Sequence, residues 1–168
     1  MIRWAPRPTP AVFEPLVPAA DQTPRPAKWR YTLTEPGAGW ETPDFDDTAW
    51  AEGAAGFGSP GTPGSIIGTE WKTASIWIRR TFNVPTPEVD KVRLWVHHDE
   101  DADVYINGVL ACRLRGYSVE YEDYEISTQA LATLKPEKNT LAVHCRQTTG
   151  GQYIDVGLVR MRQAKSEI

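Results

Sequence analysis

The stretch Asp103-Val104-Tyr105-Ile106-Asn107-Gly108-Val109-Leu110 decides the fold class. Short alternating runs flank Asn107-Gly108, and a two-residue type I′ turn needs positive φ at both central positions, which Asn and Gly tolerate. The stretch therefore reads as a β-hairpin, with Val104 and Ile106 facing one way and Asp103, Tyr105 and Asn107 the other. Further strands are expected at 29–33, 75–84, 91–98, 121–126, 140–147 and 152–161, around a hairpin of 103–107 and 109–114. All are rich in β-branched or aromatic residues and bounded by Gly, Pro, Asn or Asp. Only 127–134 reads as helical: Ser127 can cap it, Ala130, Leu131 and Leu134 form one apolar stripe, and Lys135-Pro136 ends it. Eight strands with one short helix predict an all-β protein, a two-sheet antiparallel jelly-roll β-sandwich.

The flanks have a different texture. Residues 1–27 carry Pro6, Pro8, Pro10, Pro15, Pro18, Pro24 and Pro26, which removes amide donors and favours extended chain over helix or central strand. This segment is expected to be an extension or strap, anchored by Trp4, Val12, Phe13, Leu16 and Val17, ahead of a sandwich domain at 28–163 and a tail at 164–168. The Gly- and Pro-rich stretch 53–68 reads as a long surface loop. The 168 residues suffice for one self-supporting domain, and 40% hydrophobic content with seven Trp and six Tyr fits a globular class. With a net charge of -4 and the two signs interspersed, no basic stripe exists to track phosphates, so no nucleic-acid partner is expected. Neither a secretory leader nor an apolar run near the roughly 20 residues that span a bilayer is visible, so no membrane partner is expected. The compartment stays open, with extracellular or periplasmic favoured if the chain is part of a secreted enzyme. Cys112 and Cys145 sit in strand-like apolar runs and read as buried thiols, although a bridge is conceivable if their strands are neighbours.

Three motifs resemble the galactose-binding-like jelly-roll domains that accompany glycoside hydrolases, including the sugar-binding domain of family 2 glycosidases. Pro43-Asp44-Phe45-Asp46-Asp47-Thr48-Ala49-Trp50 is similar to their "DFDDSxW" turn, and Ile76-Trp77-Ile78-Arg79-Arg80-Thr81-Phe82 to their "WxRRTF" strand. Asp103-Val104-Tyr105-Ile106-Asn107-Gly108 resembles their "DVYxNG" hairpin, followed by Leu134-Lys135-Pro136-Glu137-Lys138-Asn139-Thr140-Leu141-Ala142-Val143, similar to "LKPGxNxLAV". Order and spacing make the set specific for the fold and much less so for function. In the first motif the aspartates can hold a turn while Phe45 and Trp50 fold back as core anchors. Lys138-Asn139 replaces the usual Gly-Asn, with Asn139 expected to take the left-handed conformation.

Period-two alternation points Leu141, Val143, Cys145, Ile154, Val156, Leu158, Val92, Leu94 and Val96 inward. If the strands share one sheet, its outer face carries Trp95, His97, Asp103, Tyr105, His144, Arg146, Tyr153 and Asp155. Rings stack on pyranose faces while amides and charges bind hydroxyls, so this mixture suits a carbohydrate platform; equally, it could pack on a neighbouring domain or lie beneath the Pro-rich strap. Gln147 and Gln152 bracket a loop that adds amides and hydroxyls, and Tyr117, Glu120, Tyr121, Asp123 and Tyr124 form a second polar aromatic cluster. The candidate ligand-binding residues are thus Trp95, His97, Tyr105, His144, Arg146, Gln147, Gln152, Tyr153 and Asp155. No carboxylate pair, nucleophile elbow, P-loop or dinucleotide fingerprint is singled out, so no catalytic residue is assigned. His97-His98 with Asp99, Asp101 and Asp103 has metal character, but adjacent strand histidines point to opposite faces; no cofactor is required, and a structural calcium is conceivable. The expected function is a non-catalytic carbohydrate-binding module of a larger enzyme, the alternative an architectural domain packed against a catalytic one.

Overall fold

The computed structural model describes residues 11–84 and 88–163; Trp4, Pro6, Pro8, Pro10 and the 164–168 tail lie outside the described residues. Two six-stranded sheets sandwich the apolar core. The first holds β1 (Ala11–Val17), β4 (Phe57–Gly58), β5 (Thr69–Glu70), β7 (Val92–Asp99), β10 (Glu122–Tyr124) and β12 (Tyr153–Gln163). Its order is β10-β7-β12-β4-β5, with β1 paired along the C-terminal part of β12. The second sheet runs in the order β3-β2-β6-β11-β8-β9. Its strands are β2 (Lys28–Thr32), β3 (Ala51–Ala54), β6 (Ser75–Phe82), β8 (Asp101–Ile106), β9 (Val109–Leu114) and β11 (Asn139–Arg146). Every pairing is antiparallel except the short one between β4 and β5. This is the all-β sandwich that the alternation predicts.

Leu94, Val96, Ile154, Val156 and Leu158 meet Ile76, Ile78, Val104, Ile106, Leu141, Val143 and Cys145 in the core. Burying each such side chain is worth about 1.5–3 kcal/mol. A slip of one residue in any of these strands would turn its whole set to the outside, so the register is firmly held. At the deciding hairpin Asn107 and Gly108 have φ of 50° and 83°. Asn107 also ties the turn to its neighbours, its Oδ1 accepting from the Thr140 amide at 2.8 Å and its Nδ2 donating to the Thr133 carbonyl at 2.9 Å. The helix α1 (Thr128–Leu131) is shorter than expected, and the Ser127 hydroxyl caps it by accepting from the Ala130 amide at 3.2 Å. Cys112 and Cys145 are both free thiols.

Four further details differ from the sequence reading. Part of the Pro-rich lead is an edge strand: β1 pairs with β12 from Ala11↔Gln163 to Val17↔Leu158, and the register shifts at Pro15. An edge strand tolerates proline because one of its sides needs no donors. The 53–68 stretch is not wholly surface loop, since Ala55 and Phe57 are core residues and Phe57 pairs with Ile154. Phe45 and Trp50 are half-buried and pack edge to face on each other, outside the main core. Finally, Lys138 adopts the positive φ of 58°, while Asn139 begins β11.

Candidate functional site

Alternation assigns each side chain to an inner or outer face and says nothing of which sheet owns the strand. Strands β7 and β12 pair in the first sheet, whereas β8 and β11 pair in the second. Trp95, His97, Tyr153 and Asp155 therefore lie on one outer surface of the sandwich, and Tyr105, His144 and Arg146, with Asp103, on the opposite one. The single face expected from the sequence does not exist.

The face of the first sheet is closed. Register places Asp155 opposite His97 and Gly157 opposite Trp95. His97, Tyr153 and Asp155 are 0%, 0% and 2% exposed, so these three are not available to a ligand. The chain from β1 through the turn at Ala20–Gln22 covers Asp155 and Trp95: the Ala20 amide donates to Asp155 Oδ2 at 2.7 Å, Phe13 packs on Trp95, and the Trp95 indole donates to Asp21. His97 and Tyr153 lie under Tyr121 and the 64–66 segment. Tyr121 donates to Asp155 at 2.6 Å, and its hydroxyl lies 2.7 Å from that of Tyr153, which reaches the Ile66 carbonyl at 3.0 Å. Burial pushes the Asp155 carboxyl up to about 6, against the opposing pull of the Tyr121 and Ala20 hydrogen bonds. Burial likewise raises the Tyr121 and Tyr153 hydroxyls and lowers His97, whose Nε2 donates to the Ser118 carbonyl at 3.2 Å. The sequence did hold a sign of this cover. Gly157 interrupts an apolar strand because a Cβ there would meet the Val17 carbonyl oxygen at 2.5 Å and the Ala19 nitrogen at 2.9 Å.

The face of the second sheet is open. Trp77, His144, Asp103 and Arg113 form one row across β6, β11, β8 and β9. The imidazole of His144 stacks flat on Trp77, with centroids 4.4 Å apart at 9°. In the next row Ala142 is small and sits beside Tyr105. Trp40 stands over this region, edge-on to Tyr105 at 5.6 Å and to His144 at 6.4 Å. The result is a cleft of about 440 Å3 with Trp77, Tyr105 and His144 against the loop from Glu35 to Glu41. Burial, then the nearby Arg146, lowers the His144 imidazole to about 4, so the ring is neutral and presents an uncharged, apolar face at pH 7. Beside it Asp103 is shared by Arg113, Arg115 and Arg146 at 3.3, 3.2 and 3.6 Å, and these partly exposed guanidiniums leave donors turned to solvent.

Arg79 holds the loop that carries Trp40. It is 3% exposed, points outward from β6, pairs with Asp47 at 2.9 Å, donates to the carbonyls of Trp40 and Thr42, and lies over the Phe45 ring. The aspartate-rich motif and the double-arginine strand are thus one clamp, in which Asp46 braces the turn by accepting from the Thr48 amide and hydroxyl. Trp40 and Trp77 were missed as site residues. Trp77 follows from the same alternation that sends Ile76 and Ile78 inward, whereas nothing local to Trp40 reveals that Arg79 pins its loop over the sheet.

Both glutamines of the 147–152 loop are engaged through their Nε2 groups, while Gln147 Oε1 is buried without a hydrogen-bond partner among the described residues. Gln147 Nε2 donates to the Gly150 carbonyl at 2.9 Å and Gln152 Nε2 to that of Thr73 at 2.6 Å, so both amides brace the loop and its surroundings. The His97–Asp103 constellation is dispersed: His97 and Asp103 belong to different sheets, and His98 contacts the Glu100 carbonyl and Tyr124. Among the described residues, no three His, Cys, Asp or Glu side chains are grouped to hold a metal ion.

No protein-family model matches the chain. Over 128 residues it is 30% identical to an alpha-L-rhamnosidase of Streptomyces avermitilis, a match spanning 70% of this chain and 12% of that protein. A beta-glucuronidase of Bacteroides uniformis superposes with a TM-score of 0.54 at 21% identity, over 83% of this chain and 17% of that one. A glycosyl hydrolase family 2 member from Bacteroides cellulosilyticus does so with a TM-score of 0.54 at 15% identity, over 81% and 20%. The likeness read from the motifs is therefore present in three dimensions: the chain has the fold of a domain found within glycoside hydrolases and spans about a fifth or less of these proteins.

Proposed function

We propose that the chain is a non-catalytic carbohydrate-binding module of a larger carbohydrate-active enzyme, and that the open cleft of the second sheet is its saccharide platform. The observation that carries this reading is the wall of Trp40, Trp77, Tyr105 and neutral His144, flanked by the arginines around Asp103. Aromatic faces take the C–H faces of a pyranose, and guanidiniums at the rim donate to hydroxyls. A lytic role has less support, because glycoside hydrolysis sets two carboxyl groups on either side of the scissile bond. The cleft's own carboxylates, Glu35 and Glu41, come from a single loop, and the nearby Asp103 is engaged by three arginines.

Isothermal titration and a glycan array on the 168-residue chain test this. A dissociation constant between micromolar and millimolar is expected, since stacking and solvent-competed hydrogen bonds must offset the ordering of a flexible sugar. Trp40→Ala should weaken binding at least tenfold with an intact fold. Absence of binding to any glycan would favour the architectural reading, a domain packed against the catalytic part of its parent.

A further inference from the structure

A second cleft, of about 300 Å3, opens among the loops at one end of the sandwich, between the turn after β7, the 117–119 segment and the 149–151 loop. Asp99 and Glu100 line it together with Tyr117, Val119 and Gly150. Asp99 is 7% exposed, and among the described residues its carboxylate accepts no hydrogen bond and makes no ion pair. Gly151 is what leaves this carboxylate reachable, because a Cβ there would come within 2.7 Å of Asp99 Oδ2. Tyr117, by contrast, is 67% exposed beside it, an aromatic surface with no cover in the fold. No Lys or Arg lines the cleft.

A buried carboxylate without a partner is costly, and a second carboxylate next to it raises the cost. Burial, then the Glu100 charge, pushes the Asp99 carboxyl upward, against the pull of the His98 charge. What relieves such a group is a ligand that brings donors and positive charge, while an acidic sugar would be repelled. We propose that this cleft is a second saccharide site, selective for pyranoses that carry a free ammonium group, with Asp99 and Glu100 receiving the ammonium and Tyr117 stacking on the ring. The site is separate from the sheet-face cleft and goes beyond it.

Titration calorimetry with a β-1,4-linked glucosamine tetramer, its fully N-acetylated form and a β-1,4-linked glucose tetramer reads the selectivity. The free amine is expected to bind at least tenfold more tightly than either neutral oligomer, and more weakly at high salt. Asp99→Asn should abolish that preference without lowering the melting temperature, since it removes a desolvated charge; Tyr117→Ala, at an exposed position, should weaken all binding at this site. Trp40→Ala should leave the amine preference intact, which separates failure here from failure of the sheet-face platform. Equal binding of the three oligomers, or no binding of the amine, overturns the proposal. So does a melting temperature raised by calcium chloride alone and insensitive to it in Asp99→Asn, which would assign the carboxylates to a metal instead.

Discussion

On the outer face of the first sheet Tyr153 is fully buried beneath Tyr121 and the segment around Ile66, while on that of the second sheet Tyr105 stays half-buried at the wall of an open cleft. Both tyrosines occupy outward positions of inner strands, and both stand near a histidine and an aspartate. Composition is thus shared, and coverage makes the difference. On the first sheet a strap that pairs with β12 along β1 and then lies on Gly157 turns the outer face into a second layer of core. Arg79 holds the 35–47 segment differently on the other sheet, clamping it at one end so that a gap remains beside Trp40.

The largest contrast should come from truncating the two tyrosines. Tyr153→Ala opens a cavity in a closed layer and is expected to cost about 3–5 kcal/mol, whereas Tyr105→Ala should cost about 1 kcal/mol, both read from urea unfolding. Equal losses would mean that the faces are equally buried.

A second contrast lies in pH. Asp155 is raised in the folded state, so its contribution to stability is fully present below its unfolded value near 3.8 and is lost as pH rises through about 6. That amounts to roughly 3 kcal/mol across the window, and Asp155→Asn should remove the decline. His144 is depressed in the folded state, so stability is lost as pH falls from about 6.5 through about 4. Discounted for its partial exposure, this is on the order of 1–2 kcal/mol, and His144→Gln should remove it. The slopes oppose each other, and unfolding of the two variants between pH 4 and 6.5 should reveal them with opposite signs. If both variants follow the parent's pH profile, neither buried group behaves as described.

The smallest effect is expected at the strap's edge. Asp21 accepts from the Trp95 indole at an exposed position, so Asp21→Ala should cost about 0.5 kcal/mol in the same assay. A loss of several kcal/mol would show that the strap is held at this point rather than along β1.

These residues also mark how far the sequence could be read. The Asn107-Gly108 turn, the Ser127 cap and the inward sets of β7, β8, β11 and β12 follow from local rules that tertiary structure did not override. Strand β1 did not, because Pro15 and Pro18 argue against any strand, and only partnership with β12 makes an edge strand of it. Strand β4 is two residues long and gives no period to detect. For the site, alternation found Tyr105, His144 and Arg146 and merged them with His97, Tyr153 and Asp155. Which strands share a sheet is set by long-range pairing, and a strand's own sequence does not encode its neighbour.

The central claim, that the second sheet offers a ligand surface while the first is sealed, is tested most directly by the indole N–H resonances of the seven tryptophans during titration with a glycan from the array. The account predicts that the Trp40 and Trp77 signals shift with ligand while that of Trp95 stays in place. Movement of Trp95 with Trp40 and Trp77 unperturbed would contradict it.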